Sequence, residues 1–165
     1  MACNFTLYAM LKREDDKSTA VVIGNPRSTD FEVVRTSLMP GLLKIVGHNK
    51  DHPKPIKIFE VGDVSLLALE IIVILLLYNS GFELIHGLVD RMMEVVGAPF
   101  VSVGDDTGYY IKCSDNPEFL TGRQAHIIYK GKKIGTFGIV HPEVLENFDI
   151  PDPCSLVEVN MESFL

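Results

Sequence analysis

Between Val64 and Leu77 the chain carries a run of 14 residues that is apolar except at Ser65 and Glu70. A helix that crosses a bilayer needs about 20 apolar residues, so this run is too short to span one. Its Ile, Val and Leu content suits strands covered on both faces instead. It reads as a bent strand or hairpin with its turn near Ala68-Leu69-Glu70, and no membrane contact is expected. With 165 residues and an apolar fraction of 47%, the chain is long enough for one domain, residues 1–165, with a core of its own.

A formal charge of -7 speaks against a free-standing nucleic-acid binder, because phosphate contacts need a basic surface. Cys3, Cys113 and Cys154 are far apart and odd in number, which argues against a disulfide framework or zinc ribbon and makes a reducing compartment the default. The N-terminal segment runs into Lys12-Arg13-Glu14-Asp15-Asp16 without a basic leader, so it is not read as a signal peptide.

Gly24 to Leu43 is the scaffold corner of the sequence. The apolar Ala20-Val21-Val22-Ile23 predicts a short buried strand, stopped by Gly24-Asn25-Pro26. Ser28 and Asp30 are good N-cap residues, and Glu32 would set a carboxylate in the first turn of a short helix. Ser37 followed by Pro40 signals a second helix, whose apolar face would hold Leu42, Leu43, Ile45 and Val46. Lys57 to Val61 alternates as a strand that Gly62-Asp63 would break.

Phe82 to Val96 is the strongest helix, with Phe82, Ile85, Leu88, Val89, Met92, Met93 and Val96 on one stripe. Strands are expected at Tyr109–Cys113, at Ala125–Tyr129 and Ile134–Val140 as a hairpin around Lys130-Gly131-Lys132, and at Ser155–Met161. Pro142 would start a short helix ending at Phe148. Strands and helices out of strict alternation argue an α+β fold with a mainly antiparallel sheet.

Chemistry finds no home in the motifs. His48 and His52 have the spacing of helical metal ligands, but the prolines that follow favour a surface turn. His86 reads as a packed mid-helix residue and His141 as a helix-entry residue. Gly131, Gly135 and Gly138 match no phosphate-loop spacing. Asp105, Asp106 and Asp115 sit in solvated turns, and Arg35, Arg91 and Arg123 suit ion pairs as well as anion binding.

Taken together, GNPRSTDFEVVRTSLMPGLL, KPIKIFEVGDV, SGFELIHGLVDRMMEVVG, FLTGRQAHIIYKGKKIGTFGIVHPEVLENFDI and PCSLVEVNMESFL resemble the beta subunits of phenylalanine–tRNA ligase. The resemblance is to their catalytic-like module, in the eukaryotic cytosolic, plant-like form, and it runs collinearly over most of the chain. It implies a class II aminoacyl-tRNA synthetase-like antiparallel sheet flanked by helices, without a working active site. The resemblance also implies a cytoplasmic alpha subunit as partner in an alpha2beta2 heterotetramer, with tRNA met only through that complex. ATP and magnesium would serve the whole enzyme, and no catalytic, cofactor-binding or metal residue is expected in this chain.

In line with the lost active site that the resemblance implies, Ile58 stands where a working class II strand carries an arginine before Glu60. One departure from the family is that the polar, arginine-bearing segment that usually follows EVGDV is replaced by SLLALEIIVILLLYN. The editing modules of the family are not matched, so the chain is expected to be a fragment, a truncated paralogue or an aberrant product. The expected function is a non-catalytic subunit-interface module, with a stand-alone interaction scaffold as the alternative. Arg35, Leu38, Leu42, Leu43, Ile85 and Leu88 are the expected interface residues.

Overall fold

The computed structural model describes residues 2–3, 5–12, 21–28, 32–65, 69–78 and 81–165. Its main element is a six-stranded antiparallel sheet in the order β3-β4-β8-β7-β6-β5. The strands are β3 (Ile56–Ser65), β4 (Leu69–Tyr78), β5 (Tyr109–Cys113), β6 (Phe119–Tyr129), β7 (Lys132–Val140) and β8 (Cys154–Asn160). A separate pairing joins β1 (Ala2–Cys3) to β2 (Val33–Val34), and the helices are α1 (Phe5–Met10), α2 (Met39–His48), α3 (Phe82–Val95) and α4 (Pro142–Asn147). The sheet and its helices make the α+β class expected from the sequence.

The apolar run becomes the two-sided heart of the sheet. β4 lies between β3 and β8, and its side chains alternate between two cores. Ile72, Ile74, Leu76 and Tyr78 join Leu38, Leu42, Leu43 and Val46 on the α2 side. Leu75 and Leu77 face the α3 side, where Ile85, Val89 and Met93 pack on Ile127, Phe137, Val157 and Val159. A strand walled on both faces carries no polar alternation, and for that reason the run reads as unbroken.

The hairpin expected in this run is present, and residues 66–68 of its connection lie outside the described residues. The break expected at Gly62-Asp63 is not. β3 continues through both, pairing Gly62 with Ile72 and Asp63 with Ile71. Ten consecutive cross-strand pairs outweigh the flexibility of one glycine, and the missing side chain leaves room for the guanidinium of Arg35.

The corner before α2 also differs from expectation. Val33-Val34 pairs with Ala2-Cys3, Val22 bridges Val33, and the Ile23 N–H donates to the Glu32 carbonyl at 2.8 Å. Glu32 therefore sits in a bend just before β2, not in a first helical turn. Of the two expected caps, Ser28 lies in a bend and Asp30 lies outside the described residues. Val21 and Val22 are exposed, so the strand expected there is not a buried one. β-branched Val33 and Val34 take the extended pairing that a distant segment offers, and this overrides local capping signals.

From Pro40 onward local signals hold. α2 has Pro40 in its first turn and buries Leu42, Leu43 and Val46, while Ile45 turns outward. The β6–β7 turn puts Lys130 at φ 49° and Gly131 at φ 76°, the left-handed pair that a two-residue hairpin loop demands. At the entry to α4, His141 accepts from the Glu143 N–H at 3.2 Å, as a helix-entry residue should.

At the end of β4, the Tyr78 hydroxyl donates to Asp152 at 2.8 Å, and Lys54 pairs with the same carboxylate. The Lys54 contact and then the Tyr78 hydrogen bond hold Asp152 below its ordinary 3.8. A depressed carboxylate contributes stability that is fully present above its unfolded pKa and is lost as pH falls through the folded value. Tyr78→Phe is therefore expected to move the Asp152 titration upward and to make the chain unfold at a higher pH on acidification. Carboxylate NMR and circular dichroism between pH 5 and pH 2, about the range of carboxylate titration, check both; an unmoved titration would sink the assignment.

Candidate functional site: a polar row across the sheet

One row of cross-strand partners crosses the α2 face of the whole sheet. Lys112 of β5 pairs with His126, His126 with Thr136, Thr136 with Glu158, Glu158 with Ile74, and Ile74 with Glu60 of β3. Directly opposed residues point to the same face, so five polar side chains and one isoleucine share a line. Beside its centre lies a cavity of about 610 Å³, bordered by Thr36, Glu118, Lys133, Thr136, Glu158 and Asn160.

The segment leading into α2 clamps the row. Arg35 meets the Glu60 carboxylate at 2.7 Å and donates through Nε to the Asp63 carbonyl at 3.0 Å. Ser37 Oγ and the Leu38 N–H both donate to Glu158 Oε1 at 2.9 Å, and Ser37 Oγ accepts from the Met39 N–H at 3.1 Å. The Glu158 carboxylate thereby serves the start of α2, whose N-cap Leu38 has no capping side chain.

Next along the row, His126 Nδ1 lies 3.1 Å from Thr136 Oγ1. Burial, then the charges of Lys133 and Lys112, push the His126 pKa below its ordinary value, against the opposing pull of Glu118. A neutral imidazole at pH 7 follows. Near one end of the cavity, Gln124 accepts from the Asn116 N–H at 2.6 Å and donates to the Asn116 and Phe119 carbonyls at 3.1 and 3.3 Å. It bridges the irregular pairing between Phe119 and Gln124 in β6 and β7.

The six expected interface residues are not brought together on one surface. Leu38, Leu42 and Leu43 line the α2-side core and Ile85 the α3-side core, each at most 1% exposed. Leu88 is half-buried against the α3-side cluster, and Arg35 is engaged with Glu60. Among the histidines, His48 ends α2 and His52 lies beyond it, so the two do not share a helix. Among the described residues no group of three or more His, Cys, Asp or Glu converges on a metal position. Cys154 is buried and its thiol is pushed up to about 12, chiefly by burial, so it is no nucleophile.

Glu118, His126, Thr136 and Glu158 belong to no sequence motif. Glu158 did carry a signal, as a carboxylate within the apolar strand Leu156-Val157-Glu158-Val159. Its partner Ser37 is 121 residues away, and no local pattern links the two.

Among solved structures, two of pyrrolysyl-tRNA synthetase from Desulfitobacterium hafniense share the fold, with TM-scores of 0.72 and 0.70 at 15% and 16% identity. They cover 98% and 97% of this chain and 58% of each of those chains. The sheet is thus of the class II aminoacyl-tRNA synthetase type. Among curated proteins, "Phenylalanine--tRNA ligase beta subunit, cytoplasmic" of Arabidopsis thaliana is 57% identical over 96% of this chain and 29% of its own length. The corresponding beta subunit of Homo sapiens is 40% identical over 96% of this chain and 30% of its own, so the chain spans under a third of these relatives. No helix among the described residues is long and apolar enough to cross a membrane. The family described as "Phenylalanyl tRNA synthetase beta chain CLM domain" matches residues 3–161, and the chain belongs to it.

Proposed function

We propose that this chain is a non-catalytic subunit module of phenylalanine–tRNA ligase, docking on an alpha subunit that charges tRNA with phenylalanine. The observation that carries this reading is the electrostatics of the cavity. Adenylate chemistry develops negative charge on phosphate and needs convergent cations to receive it. Here the cavity is bordered by two carboxylates, Glu118 and Glu158, against one cation, Lys133, among the described residues. Arg35, on the same face, is already held by Glu60. These residues do not fit a nucleotide, and we derive no catalytic step through ATP or magnesium.

In this reading the polar row is structural: it locks the start of α2 over the sheet. Leu38, Leu42, Leu43 and Ile85 then act from within, holding α2 and α3 in place, while Val21, Val22 and Ile45 offer exposed apolar surface to a partner. Assembly into a cytoplasmic alpha2beta2 enzyme, with tRNA contacted through the whole complex, belongs to the same proposal. Co-expression with the alpha subunit of a related enzyme should give one shared peak on size exclusion. Separate peaks, or phenylalanine-dependent pyrophosphate exchange by the purified chain alone, would overturn the reading.

A further inference from the structure

β3 is an edge strand ten residues long, and its outward-facing backbone is identifiable from the ladder. The Ile71 carbonyl accepts from the Met161 N–H at 2.9 Å, on the β8 side of β4. Ile71 pairs with Asp63, so the Asp63 backbone groups point away from β4, toward the open edge. By the same alternation so do those of Lys57, Phe59 and Val61. Among the described residues the Asp63 carbonyl is met by Arg35 Nε, and no strand pairs with this edge.

The side chains of these four residues also share one face, the side opposite the polar row. Phe59 is 70% exposed and Val61 58% exposed, a large apolar exposure for adjacent positions on one strand face. The surface continues inward over Leu75 and Leu77 of β4 to Leu84 and Leu88 of α3, around a groove of about 410 Å³. α3 packs chiefly on β7 and β8 and reaches only the Leu75 and Leu77 positions of β4, so Phe59 and Val61 of β3 stay exposed beyond it.

The order of residues along this face chooses the occupant. Read outward, the row is Lys57, Phe59, Val61, Asp63: a cation, two apolar groups, an anion. Run antiparallel against itself about a two-fold axis at Glu60, it sets Lys57 against Asp63, Phe59 against Val61, and the reverse. Both charge pairs are then opposite in sign and both apolar groups are covered. Moving the axis by one residue, to Phe59 or Val61, places Lys57 opposite Val61 or Phe59 opposite Asp63 and loses the match. At the axis the two Glu60 side chains lie on the other face, each compensated by its own Arg35.

We propose that two copies of this chain pair through β3, antiparallel and centred on Glu60, joining their sheets into one continuous sheet. The backbone groups of Phe59 and Val61 exchange hydrogen bonds with those of Val61 and Phe59 in the second copy, and Lys57 and Asp63 fix the register from both ends. This pairing goes beyond the subunit reading and is separate from it, because it concerns the chain without any alpha subunit.

Light scattering on the purified chain across a dilution series tests it. The expected mass at high concentration is twice 18.3 kDa. Lys57→Asp and Asp63→Lys each set like charges opposite at two symmetric places, and each should raise the dimer dissociation constant about tenfold. The double variant Lys57→Asp/Asp63→Lys restores opposite signs and should return the dissociation constant toward that of the parent. Both side chains are exposed, so circular dichroism should show all variants folded. A parent chain that stays monomeric, single variants that dimerise unchanged, or a folded double variant that does not recover would each overturn the pairing. Failure here leaves the alpha-subunit experiment untouched, and the reverse also holds.

Discussion

Phe137→Ala is expected to lower the free energy of unfolding by about 3–5 kcal/mol, the range for truncating a buried ring. Phe137 is fully buried in β7, between Ala125 of β6 and Val157 of β8. Its ring stacks on Phe82 at 5.5 Å and meets His86 edge-on at 5.6 Å, so together with Ile85 and Val89 it seats the first turns of α3 on the sheet. Ladder hydrogen bonds hold the strands on either side at fixed spacing, so the cavity left by alanine closes only if α3 tilts. Against a typical total of about 5–15 kcal/mol, a loss of this size brings the chain close to unfolding. Phe137→Leu keeps most of the volume and should cost less than half as much. Chemical denaturation of the three proteins checks the ranking. A loss under about 1 kcal/mol for alanine would show that α3 is not seated as described.

Glu158→Ala carries the second large effect, about 2–3 kcal/mol, because it removes a charged acceptor from two donors at once. Ser37 Oγ and the Leu38 N–H both end on this carboxylate, and Ser37 is buried. The N-cap Leu38 has no capping side chain of its own, and the Ser37 Oγ that accepts from the Met39 N–H is itself held by Glu158. Loss should therefore be felt locally, as faster hydrogen exchange at Leu38 and Met39, as well as globally. Glu158→Gln retains an acceptor oxygen of the same reach and should lose only about 1 kcal/mol, the worth of a hydrogen bond's ionic share. Equal losses for alanine and glutamine would mean that the charge matters and the hydrogen-bond geometry does not. No change at the two amides would remove Glu158 from its role at α2.

These two sites show how differently the chain's elements were written in its sequence. α3 was legible because seven apolar residues recur at a 3.6-residue period, and its last turn falls within one residue of the expected end. The β6–β7 hairpin was legible from Lys130-Gly131, and α4 from Pro142 after His141, because turn and cap chemistry act over a few residues. By contrast Val33-Val34 met two competing signals, a helix cap before it and β-branching within it. The partner that settled the matter, Ala2-Cys3, lies about thirty residues upstream. Gly62 reads as a break in the sequence because a glycine's local preference is visible there and a ten-pair ladder is not. The polar row was the least legible feature. It takes one residue from each of six strands, and only their register reveals it as a line.

By itself the sequence determined the α+β class, the largely buried strand β4 of the apolar run, α3, the β6–β7 hairpin and the kinship with phenylalanine–tRNA ligase beta subunits. All of these rest on periodicity, turn chemistry or collinear motifs, which are properties of neighbouring residues. Tertiary structure alone decided that β3 passes through Gly62, that Arg35 and Ser37 are bound to Glu60 and Glu158, and that Phe59 and Val61 face solvent on an open edge. The physical reason is that pairing register and burial belong to segments far apart in the chain, and their energies exist only once the sheet has closed.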